Sequence, residues 1–174
     1  MSLRAHARHN LEFSRKALDM VLAEFKSDED WFCQPTKNAN HALWIVAHLG
    51  LADNRFLSSF RSELDHKPDG WDALFWFGSE INQDRSVYPR KEDVLGYFRD
   101  RRETLLKVLD EISDEELDAA PPEGERGPAA GAPSMGTIFL FAAFHEGIHM
   151  GQLTVCHRAL GHGPVMRPQP AEAM

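Results

Sequence analysis

His41-Ala42-Leu43-Trp44-Ile45-Val46-Ala47-His48-Leu49 is the stretch that decides the fold. The spacing predicts a helix that starts near Asn38 or Asn40, either of which can cap it, and runs to about Phe60. Between Ala42 and Ala52 apolar residues cover nearly every side of that helix, so it belongs inside the molecule. A helix of this kind needs other helices around it, and the rest of the chain supplies three. One runs from about Leu3 to Lys26, with Leu11, Leu18, Val21, Leu22 and Phe25 as its apolar stripe. The next runs from about Lys91 to Ile112, with Val94, Leu95, Phe98, Leu105, Val108 and Leu109 at a 3.6-residue period. The last starts after Ser134, a good cap, and continues to about Leu160, where Gly161-His162-Gly163-Pro164 stops it. Ser27-Asp28-Glu29-Asp30 and Ser113-Asp114-Glu115-Glu116 each open a short helix, the second as a capping box. Strand signals are few and no internal repeat is visible. The expected class is all-α, a four-helix bundle forming a single domain over residues 1–174.

Two connections stand out. Residues 62–89 hold Pro68, Gly70, Gly78 and Pro89 but also Trp71, Phe75, Trp76 and Phe77. A link this aromatic, between the second and third helices, is expected to pack over one end of the bundle and shape a pocket. Residues 121–133, rich in Pro, Gly and Ala, read as a mobile loop, and 166–174 as a frayed tail.

Composition limits the function classes. Of 174 residues, 43% are apolar and 26% charged, the balance of a globular domain with a proper core. The net charge of −8 repels phosphate backbones and argues against nucleic acid. The local basic cluster Arg99, Arg101 and Arg102, interleaved with Asp100 and Glu103, reads as a solvated helix face. No apolar run approaches the ~20 residues that span a bilayer, and Met1-Ser2-Leu3-Arg4 does not read as a signal peptide. Cys33 and Cys156 form no disulfide framework, so a reducing cytoplasm is the expected compartment. Cys156 falls on an apolar stripe as a small buried hydrophobe, whereas Cys33 is expected to be partly exposed.

The chemistry lies in the histidines. His145-Glu146-Gly147-Ile148-His149 puts two rings four residues apart on one helical face, about 6 Å apart along the axis, close enough to share one ion. They sit on a stripe read as Ile138, Phe141, His145, Ile148, His149, Gln152 and Cys156. His48 lies in the central helix. Burying three imidazoles unpaired would cost about 1–3 kcal/mol each, and a shared ion removes that cost. His48, His145 and His149 are therefore the expected metal ligands, in a centre with open positions. Protons compete for neutral imidazole, so affinity is expected to fall below about pH 6. His41 is seven residues from His48, too far to share its ion, and is placed at the mouth. His157 lies two turns beyond His149, and His6, His9, His66 and His162 are expected in solvent. The letters His-Glu-x-x-His also match the zinc-protease motif, with Glu146 as base. That reading lacks a third ligand further along the chain and the edge strand that would bind a peptide.

Asn40-x-x-x-Trp44-x-x-x-His48-Leu49, followed by His145-x-x-x-His149-x-Gly151-Gln152-Leu153, resembles the DinB-like (DinB/YfiT-like) superfamily. The resemblance extends over most of the chain, including Trp31 and Pro35. It implies a four-helix bundle, often dimeric, with a histidine triad holding a divalent ion such as zinc or nickel, with iron a further option. Carried over residue by residue, that triad is His48, His145 and His149. The resemblance further implies S-transfer or isomerisation with a low-molecular-weight thiol acting on a small electrophile. Glu146 and Gln152 are the candidate catalytic groups beside the triad. The alternative from another class is a non-catalytic dimeric protein that binds a metal or ligand in a stress response.

Overall fold

The computed structural model describes residues 2–121 and 130–165. Among them there is no strand, and seven α-helices follow one another: α1 (Leu3–Leu22), α2 (Asp28–Trp31), α3 (Ala42–Phe60), α4 (Trp71–Phe75), α5 (Lys91–Glu111), α6 (Asp114–Asp118) and α7 (Met135–Ala159). Short 3₁₀ turns lie at Ser62–Leu64 and Arg85–Val87. Most of the 121–133 loop and the 166–174 tail expected from the sequence lie outside the described residues.

Helix ends follow local hydrogen bonding. Ser113 forms the expected capping box with Glu116, and Ser27 forms a second one with Asp30. Neither Asn38 nor Asn40 caps α3. His41 does, its Nδ1 accepting the Trp44 backbone N–H at 3.1 Å. His41 is thus spent on the helix start, buried against Phe32 and Tyr88, and not at a site mouth. Ser134 occupies the cap position of α7, but its hydroxyl bonds Thr137 Oγ1 and not a backbone N–H. Helix α1 stops at Leu22, short of the expected Lys26. Gly161 follows α7 at φ 84°, a left-handed exit that glycine adopts without Cβ strain.

The central position of α3 is confirmed. It packs against α5 and α7, and every residue from Ala42 to Asn54 is buried. Helices α1 and α7 pair on one another, and α4 lies over α3. The α3–α5 crossing is close because Gly50 has no side chain: a Cβ there would meet Tyr97 Cδ1 at 2.8 Å and the Phe98 backbone at 3.3 Å. Cys156 is buried and Cys33 half-buried, as expected, and both are free thiols.

The apolar interior is in two parts. One holds Leu18, Val21, most of Ala42–Leu51, Trp71, Phe75, Phe98 and Leu153. The other holds Leu11, Phe56, Leu57, Leu105, Leu109, Ile138 and Phe139. Between them runs a polar layer. On α1 it falls between Leu11 and Leu18, at Ser14 and Arg15. On α5 it falls between Phe98 and Leu105, at Arg101 and Arg102. It reaches Asp53 on α3 and Glu146 on α7.

This layer overturns the expected solvation of two members of the arginine cluster, whereas Arg99 is exposed as expected. Arg101 and Arg102 are buried, at 7% and 2% exposure. Arg102 Nε donates to Asp53 Oδ2 at 2.8 Å, its second amino group to Asp53 Oδ1 at 3.2 Å, and its NH1 to Glu146 Oε2 at 2.8 Å. Arg15 Nε donates to Glu146 Oε1 at 2.6 Å and its NH2 to Asp53 at 3.4 Å, while its guanidinium carbon sits 3.5 Å over the Phe98 ring. Ser14 Oγ adds a bond to Glu146 Oε2 at 2.5 Å. Two cations and two carboxylates therefore neutralise one another, with one member from each of the four long helices. Burial works against the Arg102 charge, but the two carboxylates more than offset it and its pKa is raised.

Candidate metal centre

The site is built from the facing surfaces of α3 and α7 and from the link that covers α3. The ring of His48 leaves α3 towards α7, where His145 and His149 stand about one turn apart. Ring centroids lie 5.2 Å apart for His48–His145, 4.8 Å for His48–His149 and 4.6 Å for His145–His149. One nitrogen from each ring lies within 4.8 Å of those of the other two. The structure thus brings together the three histidines expected from the sequence, and among the described residues no fourth His, Cys, Asp or Glu joins them.

Hydrogen bonds fix which nitrogen of His48 and of His149 is available. A carbonyl oxygen only accepts, so His48 Nδ1, 2.9 Å from the Phe75 carbonyl, carries the proton and its Nε2 carries the lone pair. The same holds for His149, whose Nδ1 donates to the Gln152 side-chain oxygen at 2.8 Å. Partners of this kind orient metal-binding imidazoles. His149 Nε2 lies 3.0 Å from His145 Nε2. Two nitrogens bound at about 2.1 Å to one tetrahedral ion stand about 3.4 Å apart, so a small opening of this hydrogen-bonded pair admits an ion. His145 Nδ1 is buried with no partner among the described residues. The donor set therefore fits a divalent ion that accepts imidazole.

Aromatic rings wall the site. Trp44 stacks on His48 at 4.8 Å and 12°, and Phe141 stacks on His145 at 5.9 Å and 13°. Phe56 meets His145 edge-on, and the partly exposed Trp76 stands 5.9 Å from His48. Trp44 is itself held by a bond from its indole N–H to Ser79 Oγ at 3.0 Å. The aromatic link thus contributes Phe75, Trp76 and Ser79 to the surroundings of the triad. The carbonyl of Phe75 could not be anticipated, because a backbone group leaves no mark on the sequence.

The other candidates fall in different places. Gln152 is exposed but holds His149. Glu146 is fully buried and lies outside the histidine cluster, both of its oxygens engaged by Arg15, Arg102 and Ser14. The inward stripe of α7 also differs from the expected one. Ala142, Glu146, His149, Leu153 and Cys156 are buried, whereas Ile148 is 46% exposed and Gln152 faces solvent. The reason is that α7 is covered by α1 as well as α3, which shifts its buried face towards Glu146. His6, His9, His66 and His162 are not buried, as expected.

Burial holds the rings neutral. It pushes His48 down to about 4, with His149 adding to the effect, and His145 down to about 3, with His149 and His48 adding. His149 is lowered too, again by burial. In the unfolded chain these rings protonate near 6.5. Below that pH the unfolded state binds more protons, so stability is complete above about pH 6.5 and declines as the pH falls towards 4. Denaturant midpoints of the metal-free protein at pH 7, 6 and 5 are expected to decrease in that order. Equal midpoints would mean that the rings are not held neutral. For metal uptake, burial displaces proton competition to lower pH than free imidazole would give.

No helix among the described residues is long and apolar enough to cross a membrane. The family model described as the DinB superfamily matches residues 10–153. Neither the curated proteins nor the solved structures give a significant match.

Proposed function

Because the chain belongs to the DinB superfamily, we propose that it is a divalent-metal-dependent enzyme of the four-helix-bundle type that carries out S-transfer or isomerisation using a low-molecular-weight thiol. The observation that carries this reading is the set of three imidazoles, each with one ring nitrogen within 4.8 Å of those of the other two, with no fourth His, Cys, Asp or Glu joining them among the described residues. Zinc or nickel suits the donor set, with iron a further option. Such an ion lowers the pKa of a thiol within reach and so favours the nucleophilic thiolate. The residues of the chain do the rest. Phe75 and Gln152 hold His48 and His149 in the tautomer that presents Nε2. Trp44, Phe56, Phe141 and Trp76 limit water around the rings and offer an apolar wall to a small electrophile. In the transfer the sulfur bonds to the electrophilic carbon, the thiol proton passes to solvent, and the leaving group departs with its electron pair.

The test is turnover. Protein loaded with zinc or nickel is incubated with glutathione, bacillithiol or mycothiol and a panel of small electrophiles, and adducts are read by mass spectrometry. Adduct formation that stops on chelation and returns with the ion is the expected result. Stoichiometric metal without turnover on any pair would contradict it.

A second reading, a non-catalytic protein that holds a metal or ligand, draws on the low exposure of His48 and His149, 8% and 7%. In either case a homodimer is proposed. Phe13 and Met20 on α1 and Phe144, Ile148 and Val155 on α7 leave apolar side chains on the outer surface of this helix pair, which a second copy would cover.

A further inference from the structure

We infer that the buried quartet Arg15–Glu146–Arg102–Asp53 is a positioning device that sets the rotation of α3 and α7 and so brings the histidine triad into ligating geometry. This rests on the metal-binding reading above. Glu146 is then a positioning residue, and its acidity takes no part in the chemistry.

The geometry is direct. Glu146 follows His145 and precedes His149 by three residues, so it moves with both rings as α7 turns. Its carboxylate is tied on one side to Arg15 of α1 and on the other to Arg102 of α5, at 2.6 and 2.8 Å. Asp53 lies five residues beyond His48 on α3 and is held by two bonds from the same Arg102. One guanidinium therefore fixes the two helices that carry the triad. An imidazole nitrogen stands about 6 Å from its helix axis, so a rotation of about 20° displaces it by about 2 Å. Ligand distances tolerate only about 0.2 Å. Apolar packing alone allows small rotations, whereas a bidentate guanidinium–carboxylate pair is directional.

The experiment uses the full chain and two probe ions, zinc by chelator competition and cobalt by its visible spectrum. Glu146→Gln keeps the side-chain shape and removes the charge. The expected result is zinc affinity at least about tenfold weaker, the size of effect seen when groups supporting metal ligands are removed, with an altered cobalt spectrum. Leu109→Ala is the control: it truncates a buried apolar side chain of α5 that takes no part in the quartet, and it should lower the melting midpoint without changing affinity or spectrum. If Glu146→Gln does not fold, Ser14→Ala, which removes one bond to the carboxylate and no charge, is expected to weaken zinc by a few-fold. Wild-type affinity and spectrum in a folded Glu146→Gln protein, or in Ser14→Ala where the former does not fold, would overturn the proposal, as would an equal loss in Leu109→Ala. Wild-type protein that takes up neither ion would refute the metal reading itself.

Discussion

Replacing His145 by Ala is expected to abolish stoichiometric metal binding, and with it any thiol transfer, while the helices remain folded. The ring supplies one of three ligands, and its Nε2 lies 3.0 Å from that of His149. Its removal leaves His149 Nε2 without its 3.0 Å partner, whereas the His145 Nδ1 has no partner among the described residues to strand. The fold rests on the two apolar regions on either side of the polar layer, which do not depend on the ion. Some stability is lost, because a bound ion at about a hundredfold excess over its Kd contributes about 2.7 kcal/mol by linkage. Metal analysis, helical circular dichroism and a thermal melt check this together. An unfolded variant would make the ion structural. A folded, metal-free and active variant would place the chemistry elsewhere.

Arg102→Met should have the largest effect on stability. It removes the guanidinium that bridges Asp53 and Glu146 and leaves two buried carboxylates with Arg15 alone. Breaking a buried pair by deleting one partner costs about 3–5 kcal/mol, a large part of the roughly 5–15 kcal/mol that holds an ordinary domain. For a chain of this size the melting midpoint should drop by about 10 °C or more. Arg102→Met combined with Asp53→Leu should cost less than the sum of the two single changes, because the second removes a charge that the first strands. Strict additivity would show that the two groups are not coupled.

The helical class and the His145/His149 pair were legible in the sequence because each rests on periodicity within a single helix, whereas His48 joined the pair through the cost of burying imidazoles and the family resemblance. Ala42–Ala52 announces a buried helix, and the His145/His149 spacing announces a shared face. The quartet was legible in principle. Arg15 falls between Leu11 and Leu18, Arg102 between Phe98 and Leu105, and Glu146 between Ala142 and His149, each at a three- or four-residue step along a buried stripe. Reading Arg102 together with Arg99 and Arg101 as one charge run hid that register. Tertiary details had no sequence signal. The His41 cap depends on the backbone angle at the start of α3, and the Phe75 carbonyl reaches His48 only because α4 folds back over α3.

The most direct test of the central claim is X-ray absorption at the metal edge, on protein purified without an affinity tag, compared with His48→Ala. The account predicts one divalent ion per chain, with three imidazole nitrogens at about 2.0–2.2 Å and one fewer in the variant. A wild-type protein without bound metal, or a metal shell that is unchanged by the loss of His48, would contradict it.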